Sequence, residues 1–246
     1  MYDHKAFVMT SSPPAGLLAI WADVDQAYHT EYTQWHNCEH IPERVRIAGF
    51  HVGHRYRALD DAREFFMVYE TDDANVMQSD AYLHSQNNPT PWTRKSIGHF
   101  QRTLRTIYHM VVCIGNAPEL VAPYVLLVRS NPPEKPNGSE EVIRWYRDEH
   151  LIRLCALEGV LRGRLYQADS AISSIVTAER EVHGASSGHQ EFLAMYELTN
   201  ADLPQSPAWR EAAAGTAWSA RMVRSLRDLE PERYWLDFSL WAPGRR

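Results

Sequence analysis

The sequence predicts an α+β fold built from two ferredoxin-like β-α-β-β-α-β repeats that pair within one chain. A block of sequence occurs twice: WHNCEHIPERVRIAGFHVGHRYRA begins at Trp35, and WYRDEHLIRLCALEGVLRGRLYQA begins at Trp145, 110 residues later. Apolar and helical patterns also follow one another in the same order in both halves. Each half has about the length of one small domain.

The match resumes downstream at a wider spacing. FFMVYETDDANVMQSDAY begins at Phe65 and aligns with FLAMYELTNADLPQSPAW, which begins 127 residues later at Phe192. The difference in spacing places an insertion in the second half, at about residues 169–190, which we interpret as a solvated hairpin loop rather than a cover over a cavity. We therefore divide the chain into a first repeat at residues 1–116 and a second at residues 117–246.

Each element of the repeat has a local signal. Short apolar runs at 16–22 and 124–130 are typical of strands. The helical pattern that follows stops at Gly49 or Gly159, since glycine is favoured just after a helix. The remaining elements are a second strand ending at Ala58 or Ala168, a third at 64–70 or 191–197, broken helices at 74–99 or 201–224, and a last strand containing Tyr108 or Tyr234.

The two repeats are expected to pair through their sheets. Two helices cover only one face of a four-stranded sheet, so each repeat alone would leave the other face bare. Pairing the bare faces buries both of them. The chain is therefore predicted to form, by itself, the barrel that smaller proteins form as dimers.

Composition excludes several classes of function. The chain is 44% hydrophobic and 23% charged, with a formal net charge of −6 and no stripe of Lys and Arg. This balance argues against nucleic acid or an anionic membrane as a partner. No signal peptide or transmembrane segment is recognisable, so we expect a cytoplasmic protein. Three cysteines without CxxC spacing indicate neither a disulfide framework nor a thiolate zinc site.

The stretch CEHIPERVRIAGFHVGHRYR at 38–57 has an acidic residue, a histidine, a proline two residues on, then Gly-Phe and a closing aromatic residue. It resembles the dimeric α+β barrel superfamily, and within it the EthD-like group. The second repeat departs from this pattern, with Ile152 in place of Pro42. The superfamily contains cofactor-free isomerases, polyketide cyclases, small monooxygenases and haem enzymes, so the resemblance implies the fold more than the reaction.

His40 and His150 are the strongest candidates for chemistry, because imidazole titrates near neutral pH and serves as acid or base without a cofactor. On a straight helix His40 would lie opposite the apolar stripe and be exposed to solvent. Pro42 is expected to kink the helix and change this phase. We favour the first repeat, which also holds His36 and His54. A purely structural role for the repeated Glu-His pair stays open.

The leading hypothesis is a cofactor-independent enzyme that acts next to a carbonyl of an apolar or aromatic small molecule, by isomerisation, cyclisation or lyase/hydratase chemistry. His40 would be the acid or base with an apparent pKa near neutrality, and Glu39 would orient it. Tyr56, His54 or Arg55 would hold the developing oxyanion. The residues expected to bind substrate are Trp35, His36, His150, Tyr166, Tyr69 and Tyr196.

Other functions stay open at this stage. One is a non-catalytic ligand-binding or stress-type barrel, and another is a monooxygenase or haem protein. His36, His40 and Glu43 share one helical face, so a metal held by these three is a further alternative. The hypothesis also allows a homodimer of the whole chain.

The cofactor-free hypothesis predicts the mass of the purified protein. Native mass spectrometry is expected to give the mass of the polypeptide, alone or with a small organic molecule, and to report the subunit count. Denaturing mass spectrometry of the same sample is the control. A difference that matches a metal ion or haem would contradict the hypothesis.

Overall fold

The computed structural model describes residues 14–118 and 121–244. The N-terminal residues 1–13, where no signal peptide was predicted, and residues 119–120 of the linker lie outside the described residues. The first repeat contains β1 (Gly16–Val24), α1 (His29–Trp35), α2 (Ile41–Val45), β2 (Phe50–Ala58), β3 (Phe65–Thr71), α3 (Asp80–Asn87), α4 (Pro91–Ile97) and β4 (Phe100–Ile114). The second contains β5 (Tyr124–Asn131), α5 (Gly138–Trp145), α6 (Leu151–Cys155), β6 (Val160–Ala168), α7 (Ser170–Ser173), α8 (Ala178–His183), β7 (Phe192–Leu198), α9 (Pro207–Ala214), α10 (Ala217–Ser225) and β8 (Arg227–Trp241).

The eight strands form one closed antiparallel barrel in the order β1-β3-β2-β8-β5-β7-β6-β4. Each repeat contributes four adjacent strands in the ferredoxin-like order. The repeats are joined by pairing of β2 with β8, where Tyr56 lies opposite Leu236, and of β4 with β6, where Met110 lies opposite Tyr166. The fold class predicted from the sequence is confirmed. Closure leaves no unpaired strand edge, which removes a route to aggregation.

The barrel interior is a core to which all eight strands contribute. Its largest members are aromatic, among them Trp21, Tyr56, Tyr108, Tyr166 and Tyr234, each 1% exposed or less. Alternation along each strand sends these side chains inward and their neighbours outward, toward the helices. The sheet therefore has two faces with different surroundings. One faces the interior core, and the other faces the helices.

Buried charges join the two repeats inside the barrel. The Arg164 Nη1 atom of β6 donates to Glu70 Oε1 of β3 at 2.6 Å, and its Nη2 atom lies 3.5 Å from Glu197 Oε1. Arg162 Nη2 donates to the same Glu197 oxygen at 2.9 Å. Burial by itself would raise the pKa of Glu70, but Arg164 and Arg162 outweigh it and lower that pKa to about 2. Glu70 therefore stays charged beside the two arginines.

The insertion in the second repeat is not a solvated hairpin loop, so that interpretation of the sequence was wrong. It forms α7 and α8 and packs on the first repeat. The backbone N–H of Ile107 on β4 donates to Ser173 Oγ at 2.8 Å, and that of Arg105 donates to the Ser186 carbonyl at 3.0 Å. The cause is the pairing of β6 with β4, which delivers the chain after β6 to the helix-covered side of the first repeat.

The helices are short, and glycine marks the ends of two of them as predicted. Gly49 and Gly159, which follow α2 and α6, both have φ of +92°, a left-handed conformation that favours glycine. A Cβ atom on Gly49 would lie 2.7 Å from Val76 Cγ2. Within residues 14–118 and 121–244, no helix is long and apolar enough to cross a membrane.

Removal of one charge from the barrel interior should destabilise the protein. Glu70→Gln leaves Arg164 short of a buried counter-charge, and we expect a loss of about 3 kcal/mol in the free energy of unfolding, measured by urea denaturation. Asp148→Asn is the control, because the Arg147–Asp148 pair is exposed and should leave stability unchanged. Equal stability of the two variants would contradict an energetic role for the interior network.

Candidate active site

A π-helical turn places His40. Residues His36–His40 form this turn between α1 and α2, and Tyr146–His150 form the same turn in the second repeat. A π turn contains an extra residue, which rotates the following side chains by about 100°. His40 is therefore only 7% exposed instead of lying outside. Since the second repeat lacks the equivalent of Pro42, the proline is not the cause of the phase change.

Trp35 and Glu39 fasten this turn to the start of α4. Trp35 Nε1 donates to Thr93 Oγ1 at 3.1 Å, while Glu39 Oε1 accepts from Thr93 Oγ1 at 3.0 Å and from Thr90 Oγ1 at 2.6 Å. Thr90 is also the N-cap of α4. The predicted role of Glu39 as the residue that orients His40 is therefore wrong, because its carboxylate is engaged with α4 and makes no hydrogen bond with His40.

The second repeat contains the same arrangement of a Trp and a Glu bound to the start of a helix, which we call the clamp. Trp145 Nε1 donates to Ser219 Oγ at 2.9 Å, and Glu149 Oε1 accepts from Ser219 Oγ at 2.6 Å and from Thr216 at the start of α10. The repeated Trp and Glu are thus structural. They hold the turn in the phase that directs His40 or His150 toward the sheet.

A small cavity lies between the sheet and the helices of the first repeat. Its free volume is about 20 Å³, which is room for about one water molecule. The insertion closes it with α8, a segment of the second repeat. The lining residues are Leu18, Ile20, His40, Arg44, Tyr69, Tyr82, Gln86, Ile97, Phe100, Arg105, Glu179 and His183.

His40 is held as a neutral imidazole at this cavity. Its ring lies 4.5 Å from the Trp35 ring and 5.7 Å from the His36 ring, centroid to centroid. Its Nδ1 atom is buried and has no hydrogen-bond partner among the described residues. Burial, and then the positive charge of Arg44, lower the pKa of His40 well below its ordinary value. The pKa of His40 is therefore lower than the near-neutral value that we expected from the sequence.

Behind His40, three side chains form a hydrogen-bonded chain toward the cavity. Arg55 donates through Nε to Asp237 Oδ2 at 2.7 Å and through Nη1 to His36 Nδ1 at 3.1 Å. Since His36 Nδ1 accepts, the proton of the neutral ring is on Nε2, which lies 3.5 Å from Tyr69 Oη. The hydroxyl proton of Tyr69 then remains available to the cavity. Arg55 does not line the cavity. It affects the orientation of Tyr69 indirectly, through its hydrogen bond to His36.

The insertion is attached to the first repeat by a buried ion pair. Arg44 Nη2 lies 2.5 Å from Glu179 Oε1, and Gln86 Nε2 donates to Glu179 Oε2 at 2.8 Å. None of these three residues was predicted from the sequence, and neither were Arg105 and Tyr82. The repeat contained no signal for them, because the positions equivalent to Arg44 and Gln86 in the second repeat are Leu154 and Ala213.

The equivalent cavity of the second repeat is larger and mostly apolar. Its volume is about 120 Å³. His150 Nε2 lies 3.1 Å from Tyr196 Oη, so this histidine is hydrogen-bonded to a tyrosine of its own repeat. Pro231 takes the place of Arg105. The lining residues are Leu126, Val128, Trp145, Tyr146, His150, Leu154, Tyr196, Trp209, Ala213, Val223, Leu226 and Leu229.

The sequence-predicted site residues therefore occupy three places. His40 and Tyr69 line the first cavity, with Trp35 and His36 packed behind His40. His150 and Tyr196 line the second cavity. His54, Tyr56 and Tyr166 point into the barrel interior.

His54 and Tyr56 were predicted to stabilise an oxyanion beside His40, and this is wrong. His54 Nδ1 pairs with Ser239 Oγ at 2.9 Å and lines a cavity at one end of the barrel, where burial lowers its pKa to about 4. Tyr56 and Tyr166 belong to the interior core. The sheet lies between these three residues and His40, because alternate residues of a strand face opposite sides.

The metal alternative does not fit the donor set. His36 Nδ1 accepts from a guanidinium, and Glu43 Oε1 accepts from Ser85 Oγ at 2.6 Å, so neither is directed at His40. Within residues 14–118 and 121–244, no group of three His, Cys, Asp or Glu side chains is placed to hold a metal ion.

Neither cavity is large enough for haem in the closed state of this structure. Sites for cofactors and drug-sized ligands usually enclose about 300–1,000 Å³, whereas the cavity at His40 has about 20 Å³ and that at His150 about 120 Å³. The Nε2 atom of His150, which would have to bind the iron, faces the Tyr196 hydroxyl instead.

Solved structures with the same fold cover almost the whole chain. An anthrone oxidase-like protein superposes with a TM-score of 0.64 at 8% identity, covering 96% of both chains. A candidate monooxygenase from Fusobacterium nucleatum gives 0.58 at 9% identity, covering 94% of this chain and 96% of the other. Chlorite dismutase from Candidatus Nitrospira defluvii gives 0.55 at 11% identity and 93% of each.

These likenesses show the dimeric α+β barrel fold, and at such low identity they show the fold alone. No protein-family model matches the sequence, and no curated protein is detectably similar to it.

The buried histidines make stability depend on pH. Burial lowers the pKa of His150 to about 3 and that of His54 to about 4, and it lowers the pKa values of His36 and His40 as well. An unfolded chain binds these protons at about pH 6.5, so the stabilisation is complete above that pH and is lost as pH falls below it. We expect the free energy of unfolding from urea titrations to decrease between pH 7 and pH 5.

Each such histidine contributes at most about 1.4 kcal/mol per pH unit. His150→Leu removes one of them and should give a shallower slope. A free energy of unfolding that is constant between pH 7 and pH 5 would contradict this account.

Proposed function

We propose that this chain is a small-molecule enzyme that removes a proton from a carbon next to a carbonyl, in the cavity of the first repeat, with His40 as the base. One observation supports it above the others. Charged and amide side chains line the cavity at His40, whereas the positions equivalent to them around His150 are apolar. Convergent polar groups in a closed cavity favour catalysis, and an apolar pocket favours simple binding.

The neutral state of His40 suits the role of a base. Its free nitrogen takes the proton from the substrate carbon, and the electrons of the C–H bond move to the carbonyl oxygen to form an enolate. The imidazolium then lies close to the guanidinium of Arg44. This repulsion favours return of the proton, to the same carbon or to another one, which gives exchange or isomerisation.

Tyr69 is the proposed donor to the enolate oxygen. Its hydroxyl proton is free for the cavity because the oxygen accepts from His36 Nε2. Arg55 fixes this arrangement by donating to His36 Nδ1, so Arg55 and His36 are positioning residues. A fixed donor in a dry cavity stabilises a developing oxyanion more than water does.

The closed cavity implies that the insertion moves during turnover. A free volume of about 20 Å³ does not hold an aromatic substrate. We therefore propose that α8 moves away from the first repeat to admit substrate, which breaks the Arg44–Glu179 contact, and then closes again. Closure would exclude water from the enolate.

A second candidate is an oxygenase that uses the same enolate. It is favoured by the likeness to the anthrone oxidase-like protein and to candidate monooxygenases. With anthrone as substrate, reaction of the carbanion with O₂ gives anthraquinone and one water molecule, so atoms and electrons balance without a further reductant. Both candidates share the first step, which is proton removal by His40.

We also propose an origin for the two repeats. Duplication of an EthD-like ancestor, with a boundary near residues 116/117, accounts for the two π turns and the two Trp-Glu clamps. Divergence then left acid/base chemistry in the first repeat. Association of two such chains into a homodimer is compatible with this proposal.

The test uses anthrone as probe, with His40→Gln and the matched control His150→Gln. Under nitrogen in D₂O, NMR measures deuterium incorporation at the acidic carbon above the buffer rate. In air, an oxygen electrode measures O₂ uptake. We expect His40→Gln to lower kcat/KM by roughly 10²–10⁴-fold, as for loss of a general base, and His150→Gln to retain wild-type rates.

The two readouts separate the candidates. Exchange without O₂ uptake supports isomerase or lyase-type chemistry, and exchange with uptake supports the oxygenase. Full activity of His40→Gln, or equal loss in both variants, would overturn the assignment of His40. Wild-type protein that accelerates neither process would count against the proposed carbon-acid chemistry.

A further inference from the structure

Arg105 is a buried cation without a counter-ion among the described residues. It lies on β4, is 5% exposed and lines the same cavity as His40. Its Nη2 atom donates to Tyr82 Oη at 3.0 Å. Its Nη1 atom is buried and has no hydrogen-bond acceptor among the described residues. A guanidinium is always charged, so this donor is expected to face a partner that the protein itself does not provide.

The other buried arginines show how unusual this is. Each of them lies within 4 Å of a carboxylate in the part of the chain that the structure describes. Arg105 forms no such pair. The pairs are Arg44–Glu179, Arg55–Asp237, Arg129–Glu232, Arg162–Glu197 and Arg164–Glu70.

No group around Arg105 among the described residues neutralises its charge. Burial, and then Arg105 and Arg180, lower the pKa of His183 to about 4. Glu179 is the acidic residue of the cavity lining, and it is already engaged with Arg44 and Gln86. The cavity therefore carries an excess of positive charge. A buried cation left in this state destabilises the protein unless a ligand supplies the missing charge.

We propose that Arg105 binds a carboxylate of the substrate, and that the substrate is an aromatic acid. The free Nη1–H supplies a charge-assisted hydrogen bond to the carboxylate, while Tyr69, Tyr82 and Phe100 provide aromatic surface for a planar ring system. This inference rests on the proposed function in placing the substrate in the first cavity and in the movement of α8 that opens it. The second repeat has Pro231 at this position and is not expected to discriminate charge.

Two probes of the same shape test the proposal by binding alone, without turnover. 1-Naphthoate carries the carboxylate, and 1-naphthamide is its neutral counterpart. Isothermal titration at pH 7.5 is expected to show that the wild-type protein binds naphthoate roughly tenfold or more tightly than naphthamide. Arg105→Met should bind the two probes equally. Arg221→Met, which changes an exposed arginine on α10, should keep the wild-type preference.

The melting temperature of Arg105→Met is a second readout. A ligand-binding role and a structural role for Arg105 predict opposite changes in it. Replacement of an unpaired buried cation by Met should leave the melting temperature of the ligand-free protein unchanged or higher. A lower melting temperature would mean that the guanidinium is already stabilised by a counter-charge within the protein, and it would contradict the proposal.

The proposal is overturned if the wild-type protein binds both probes equally, binds neither at millimolar concentration, or if Arg105→Met keeps the preference. His40→Gln separates this result from the proposed function, because it should retain the preference for naphthoate whether or not His40 is the base.

Discussion

The hydrogen bonds that join β4 to β6 and β2 to β8 are the constraint on which the rest of the structure depends. They close two four-stranded sheets into one barrel and bury an aromatic core that neither repeat could cover alone. They also determine where the insertion lies, since the chain leaving β6 emerges beside the first repeat. The cavity at His40 is therefore completed by a segment that is distant in sequence.

The two repeats share a framework and differ in what they place inside it. Both contain the π turn and both fasten it with a Trp and a Glu to the following helix. In the first repeat the cavity contains Arg44, Gln86 and Arg105, and in the second it contains apolar residues. The two halves therefore share the contacts that hold the π turn and differ in the residues that line the cavity beside it.

Burial is the main electrostatic influence on the candidate site. It keeps His40 and His36 neutral, and the arginines around them act in the same direction. In the barrel interior, by contrast, the buried cations Arg162 and Arg164 are paired with the carboxylates of Glu70 and Glu197. The unpaired cation thus lies on the helix-covered side of the sheet, next to His40, which is where an anionic substrate would complete the charge balance.

The sequence by itself determined the duplication pattern, the order of the elements, the closed pairing of two sheets and His40 as the candidate base. These follow from local periodicity and from comparison of one half with the other. Only the tertiary structure decided which residues surround His40. The π turn changes the helical phase in a way that a straight wheel cannot represent, Glu39 turned out to be a clamp, and Arg105, Arg44 and Glu179 meet through strand pairing between repeats. Such contacts have no local signal. They join residues that are far apart in the sequence, such as Arg44 and Glu179 at a separation of 135 positions, or they follow from the one extra residue of the π turn.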